Sequence, residues 1–271
     1  MSGYHRLIAQ DPAIGKVGQI LQGISTLAES TYTEFGAAVA YASLAGCQTL
    51  ASKIEDSGSS WSLSRKSWLI SIDYGRTEPE ALELLASLPN SKVRIPNGTS
   101  VIRTPGLFPN KVFHPKLYFL ANVNSQIKTF GLFVGSANLT FSGLVTGYEC
   151  GVLKHWTSST HPRTQTIDDE ITDTRVWFRA MWQNADDLVH VLGPYKKVWR
   201  KQIRLPSEDD SKLVNLYRGA GTLSIDGIDA LRMANAKVLW VETGTLYKNR
   251  GHEVAGCTAP LKLDTKSPFF S

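Results

Sequence analysis

The chain has 271 residues, enough for one large domain or for a catalytic domain with a smaller companion. Hydrophobic residues make up 42% and charged residues 20%, and seven Trp, nine Tyr and ten Phe supply a core, which excludes a disordered chain. The formal net charge of +5 suits a polyanionic partner without identifying one.

The opening MSGYHRLIAQ has no charged-then-apolar leader pattern, and no run approaches about 18 apolar residues, so no membrane segment is expected. Apolar groups at Val17, Ile20, Leu21, Ile24 and Leu27 predict a helix over 13–30. A strand over 35–43, a helix over 45–56 and a strand over 67–73 follow, the last ending in a turn at Tyr74-Gly75. Residues 78–88 start acidic and carry Leu at helical spacing, and 92–96 reads as another strand. This alternation is that of an α/β domain.

From 111 the pattern changes to strands in quick succession: 111–120 and 128–136, joined by a polar turn with Asn122, Asn124 and Ser125, then a strand from Glu149 through Leu153. Residues 157–172 are polar and read as a loop or connector. Residues 173–203 read as helical, interrupted near Gly193-Pro194, and a strand is expected at 237–242. Cys47, Cys150 and Cys257 are odd in number, widely spaced and without a CxxC pair, which argues against a disulfide framework or zinc knuckle and for a reducing, cytoplasmic setting.

The segment FHPKLYFL, 113–120, carries the chemistry. On a strand, His114, Lys116 and Tyr118 share one face, while Phe113, Pro115, Leu117 and Phe119 turn into a core. The spacing sets His114 and Lys116 about 6–7 Å apart, suited to a nucleophile and a cation gripping one phosphate. Downstream, Leu132-Phe133-Val134 reads as a buried strand delivering Gly135-Ser136-Ala137-Asn138 at its end. Small residues there admit close backbone approach to a ligand, and Asn138 offers amide donors to a phosphoryl oxygen. Ser136 either contacts phosphate or satisfies turn backbone. Glu149 supplies a carboxylate able to orient an imidazole. His155, His161 and His190 read as surface or loop residues, none with metal-ligand spacing.

His-x-Lys, then Gly-Ser-x-Asn, then an acidic residue resembles the phospholipase-D-like (HKD) superfamily. The resemblance is closest to its nuclease branch, which includes metal-independent type II restriction endonucleases. It runs from His114 to Glu149, within an α/β pattern over about 13–155. Where the common HxKxxxxD form has its Asp, this chain has Ala121. The restriction-type branch also lacks that Asp, so the departure weakens a lipid-hydrolase reading more than a nuclease reading.

The resemblance implies a mixed sheet flanked by helices and catalytic roles for His114, Lys116, Asn138 and Glu149. His114 attacks phosphorus to give a phosphohistidine, Lys116 and Asn138 stabilise the non-bridging oxygens, and a second histidine serves as acid and base. With one HxK motif per chain, the second imidazole is expected from a homodimeric partner. The expected partner is DNA, with no cofactor and no metal. The organisation read from the sequence is a catalytic domain over 1–160, a helical connector over 161–205 and a small β-rich region over 206–271. Residues 230–251 resemble the start of a B3-like recognition domain, but too few residues remain for a full barrel. On a helix, Lys196, Arg200 and Arg204 line one face with Lys197 and Lys201 beside it, read either as a stripe tracking DNA backbone or as a solvated face with Tyr195 and Trp199 inward. Two other functions fit the same residues: a phospholipase or phosphatidyltransferase, and a DNA-binding module with a relic site.

Overall fold

The computed structural model of the chain describes residues 4–57, 60–122, 128–158 and 165–202, together with the backbone of 238–242, 245–248, 252–255 and 258–262. The chain divides into two compact units, 1–203 and 204–271.

The first unit is a mixed α/β fold around one eight-stranded sheet. Its strands are β1 (Tyr4–Gln10), β2 (Glu34–Val39), β3 (Arg65–Ile70), β4 (Ser91–Ile95), β5 (Lys116–Asn122), β6 (Thr129–Gly135), β7 (Glu149–Thr157) and the short β8 (Asp186–Asp187). They lie in the order β1-β7-β6-β5-β2-β3-β4-β8. β2, β3 and β4 are parallel, and every other neighbouring pair is antiparallel. The helices are α1 (Gln19–Ala28), α2 (Leu44–Ser57), α3 (Ser60–Leu63), α4 (Pro79–Ser87), α5 (Gly98–Val101), α6 (Gln165–Asn184) and α7 (Leu188–Gln202).

Both faces of the sheet are covered. On one, Ile20, Ile24 and Leu27 of α1, Leu50 and Ile54 of α2, Leu82 and Leu85 of α4, and Val191 and Tyr195 of α7 share one core with Trp68, Val93, Tyr118, Leu120 and Phe133 of the strands. On the other, Ile171 and Phe178 of α6 pack on Phe119, Phe130 and Leu132. The expected alternation along β5 therefore holds in parity, but Tyr118 and Lys116 are themselves buried rather than presented on an open face.

Four expectations are corrected. The helix expected over 13–30 begins only at Gln19, because Asp11 accepts from Ala13 N at 2.9 Å and closes a turn with Pro12 at its start. Gly15 and Gly18 leave that turn at positive φ, 75° and 67°, where a side chain is strained, so Val17 falls outside the helix. The polar stretch 157–172 is partly helix, since α6 starts at Gln165 and needs only one apolar stripe, Ile171 and Phe178 one heptad apart, to dock. The break in the helical region falls at 185–187 rather than at Pro194. There Asp186 accepts from both N and Oγ1 of Thr99 at 2.8 Å and joins β4. Pro194 stays within α7, which loses one helical hydrogen bond but keeps Val191 and Tyr195 in the core. His155 is buried on β7, not on the surface.

α6 and α7 pack on the sheet within the first unit rather than standing apart as a connector. β1, which the sequence reading did not identify, pairs with β7 as the edge strand. In the second unit, β9 (Val238–Glu242) pairs antiparallel with β12 (Thr258–Lys262), and β10 (Thr245–Lys248) with β11 (His252–Ala255). β9 is the strand expected at 237–242. The turn residues Asn124 and Ser125, and His161, lie outside the described residues.

Candidate active site

Strand direction gathers the sequence motifs at one edge. β5 is antiparallel to β2, so its start meets the C-terminal end of β2, with Lys116 opposite Val39. β6 returns antiparallel and ends at that edge, and β7 starts there, with Gly135 opposite Gly151. His114 and Lys116, Ser136 and Asn138, and Glu149 thus converge with the segments that follow β2 and β3. In open α/β sheets that carboxyl edge is where ligands bind.

His114 is exposed and precedes β5, which begins only at Lys116. The Lys116 Nζ lies 2.5 Å from His114 Nδ1, 3.2 Å from Nε2 and 3.2 Å from the His114 carbonyl oxygen. The ring nitrogen facing an ammonium must present a lone pair, so this contact requires a neutral imidazole. Burial, then the Lys116 and Arg76 charges, hold the His114 pKa below its ordinary value. Burial lowers the Lys116 pKa as well, and the Glu149 carboxylate partly offsets that.

The loop after β6 continues alongside the end of β2. Leu139 N donates to Tyr41 O and Ser43 N to Leu139 O, each at 3.0 Å. Within this ladder Asn138 Oδ1 accepts from Tyr41 N at 3.2 Å, which anchors the amide and leaves its Nδ2 hydrogens for another acceptor. Ser136 Oγ accepts from Cys150 N at 3.0 Å and donates to the Glu149 carboxylate. Of the two readings of Ser136, the geometry is that of a hydroxyl engaged with the start of β7. Glu149 is therefore held by Ser136 and acts electrostatically on Lys116; its hydrogen bond does not go to the imidazole. The small residues here serve packing. A Cβ on Gly135 would fall 2.3 Å from Cys150 O, and one on Gly151 2.5 Å from the Phe133 ring.

The sequence reading missed three residues of this edge. Tyr41, which follows β2, sets its ring edge-on to His114 with centroids 5.7 Å apart. The Arg76 guanidinium lies over the Tyr41 ring at 5.2 Å. Asp73, buried after β3, accepts from Phe113 N at 3.0 Å and so pins the histidine segment to the β3 loop. Burial raises the Asp73 pKa, partly offset by hydrogen bonds from Phe113 and Ser71. Each lies just past the end of a strand that the structure shows to be parallel, β2 or β3, whereas the sequence reading carries those strands on through Tyr41 and Asp73.

Along α7, Tyr195 is buried and donates to Thr77 O at 2.5 Å, and Trp199 Nε1 donates to Gly75 O at 2.9 Å, both steadying the loop that carries Asp73 and Arg76. Lys196 pairs with Glu83 of α4, while Lys197 and Arg200 are exposed. Lys201 is in the last turn of α7, and Arg204 lies outside the described residues. Among the described residues no three His, Cys, Asp or Glu side chains form a metal-binding group, and no helix is long and apolar enough to cross a membrane.

No protein-family model matches the sequence, and no curated protein matches it. Among solved structures the chain is similar to NucT from Helicobacter pylori, at 14% identity and a TM-score of 0.44 over 69% of this chain and 99% of that one. It is similar also to Nuc from Salmonella typhimurium, a phospholipase D family member, at 14% identity and a TM-score of 0.43 over 69% of this chain and 98% of that one.

Proposed function

We propose that this protein is a metal-independent DNA endonuclease, of restriction type, that cleaves phosphodiesters through a covalent phosphohistidine in a site shared by two copies of the chain. The observation that carries the proposal is the contact between the Lys116 ammonium and the ring of a His114 kept neutral by its surroundings. A neutral imidazole is a nucleophile, and the adjacent ammonium is the charge a phosphoryl group needs as it accepts electron density.

In this reading the DNA phosphate draws Lys116 off the ring and frees the lone pair. The imidazole nitrogen bonds to phosphorus as the P–O bond to the leaving strand breaks. Lys116 and the Asn138 amide hold the non-bridging oxygens. His114 of a second copy, which takes up a proton once the negative charge of the phosphate has replaced Lys116 beside it, gives that proton to the departing oxygen and then accepts one from the water that displaces the first imidazole. Glu149, fixed by Ser136, keeps Lys116 charged in its buried position. Lys197 and Arg200, exposed on α7, supply backbone contacts that position the duplex.

The test is to incubate the protein with end-labelled duplex in EDTA, quench in alkali, and look for label bound to protein. The expected result is an alkali-stable, acid-labile adduct, absent from His114→Ala. EDTA-sensitive cleavage restored by Mg²⁺, or hydrolysis of phosphatidylcholine vesicles without cleavage of DNA, would refute the proposal.

A further inference from the structure

The other end of the same sheet holds a recess of about 810 Å³ between the starts of β2, β3 and β4 and one face of α6. Pockets that take small ligands span roughly 300–1,000 Å³. Glu34, at its floor, and Val39, beside Lys116, stand at opposite ends of β2, about 17 Å apart at the rise of a strand. The recess is thus separate from the His114 edge.

Its lining carries four cations, Arg65, Lys92, Arg175 and Arg179, and one carboxylate, Glu34. That carboxylate is shared: Oε1 meets Arg65 at 2.8 Å and Oε2 meets Arg175 at 3.3 Å. Two guanidinium groups are therefore held side by side against a single negative charge. Lys92 and Arg179 are exposed and have no ion-pair partner among the described residues. The excess is positive, and it faces into a concave surface where field lines concentrate.

Beside the cations runs an aromatic wall. Phe119 meets Phe178 edge-on at 5.0 Å, and Phe178 stacks on Trp182 at 6.0 Å. Arg94 donates to the Trp182 backbone carbonyl at 2.7 Å and sets its guanidinium over the indole, 5.2 Å from the ring centroid. Leu63, 82% exposed, is a further apolar group of the lining. Cations alone would suit any anion. Cations next to a braced aromatic wall suit a ligand with a phosphate and a flat ring.

We infer that this recess binds a nucleoside phosphate, either free or as a unit of single-stranded nucleic acid, through Arg65, Lys92, Arg175 and Arg179 with the ring against Trp182. The inference goes beyond the proposed nuclease activity and does not depend on it.

The experiment measures anisotropy of a fluorescein-labelled hexathymidylate with the full chain carrying His114→Ala, the oligonucleotide being checked for integrity on a denaturing gel after each titration. Adding Lys92→Ala and Arg179→Ala, both at exposed positions, is expected to weaken binding about tenfold and to reduce the log–log salt slope by about 1.4, two single-strand phosphate contacts. Trp182→Phe is expected to remove the quenching of intrinsic fluorescence that the oligonucleotide causes. Displacement by thymidine monophosphate at similar affinity identifies a free nucleotide as the ligand, and its failure to displace identifies a strand; either agrees with the inference. Absence of binding, an affinity and slope unchanged in the double variant, or equal displacement by poly-glutamate overturns it.

Discussion

Lys116 is 9% exposed as a residue, and its ammonium rests 2.5 Å from Nδ1 of the exposed His114. A buried cation and an imidazole in direct contact restrain each other: burial and the Lys116 charge disfavour the imidazolium, and the imidazole lone pair gives the ammonium an acceptor. Glu149 supplies the opposing charge that lets Lys116 remain ionised where burial disfavours it.

Replacing Lys116 by Met separates its two roles. Cleavage is expected to fall by about 100- to 1,000-fold, the usual cost of removing one group that stabilises transition-state charge. Thermal stability should stay level or rise, since a desolvated charge is removed from the sheet. A parallel loss of melting temperature and activity would assign Lys116 a structural role instead.

The pH profile of cleavage follows from the depressed His114 pKa. A neutral nucleophile remains available below the ordinary histidine value of about 6.5, so the acid limb should lie under that pH. Arg76→Gln removes one of the charges that disfavours the imidazolium, and should move the limb upward. A limb at the ordinary value in the wild type, unmoved by Arg76→Gln, contradicts the assignment.

Ser136→Ala takes away both the Cys150 contact and the anchor of Glu149. Each net hydrogen bond is worth about 0.5–1.5 kcal/mol, so a modest loss is expected in denaturant unfolding. Activity should drop with it, and Glu149→Gln should reproduce the activity loss. If Ser136→Ala cleaves normally while Glu149→Gln does not, the anchor is dispensable.

Asp73 ionises at a raised pKa because it is buried. A raised folded value means that its contribution to stability is complete below the unfolded value, about 3.9, and fades as pH rises through the folded one. Asp73→Asn keeps an acceptor for Phe113 N but cannot ionise. The variant should therefore gain in melting temperature relative to wild type as pH increases from 4 to 8. A difference independent of pH would show that Asp73 is not the titrating group.

Much of the edge was legible because its chemistry is local. His114 and Lys116 lie two residues apart, and Gly135 to Asn138 follow a buried apolar run, so spacing puts an imidazole near an ammonium and marks the end of a strand; that His114 precedes β5, with Lys116 reaching back to its ring, was not readable from spacing. The helices of the βαβ part were equally readable: Leu82 and Leu85 of α4 repeat at helical spacing because one stripe must meet the sheet. α6 was harder, since a helix that docks by Ile171 and Phe178 leaves most of its surface polar and reads like a loop.

The amino-acid sequence by itself determined the reactive groups, the alternation of strands and helices and the apolar runs that bury each strand, since these depend on residue type and short spacing. Only the tertiary structure decided which residues meet. The antiparallel return of β5, β6 and β7 against the end of β2 brings Tyr41, Asp73 and Arg76 to a histidine at least 38 positions away in the chain. It also turned Ser136 toward Glu149 and opened a basic recess at the opposite end of the sheet. Such contacts depend on strand order and direction, which are settled by how the whole chain buries its two sheet faces.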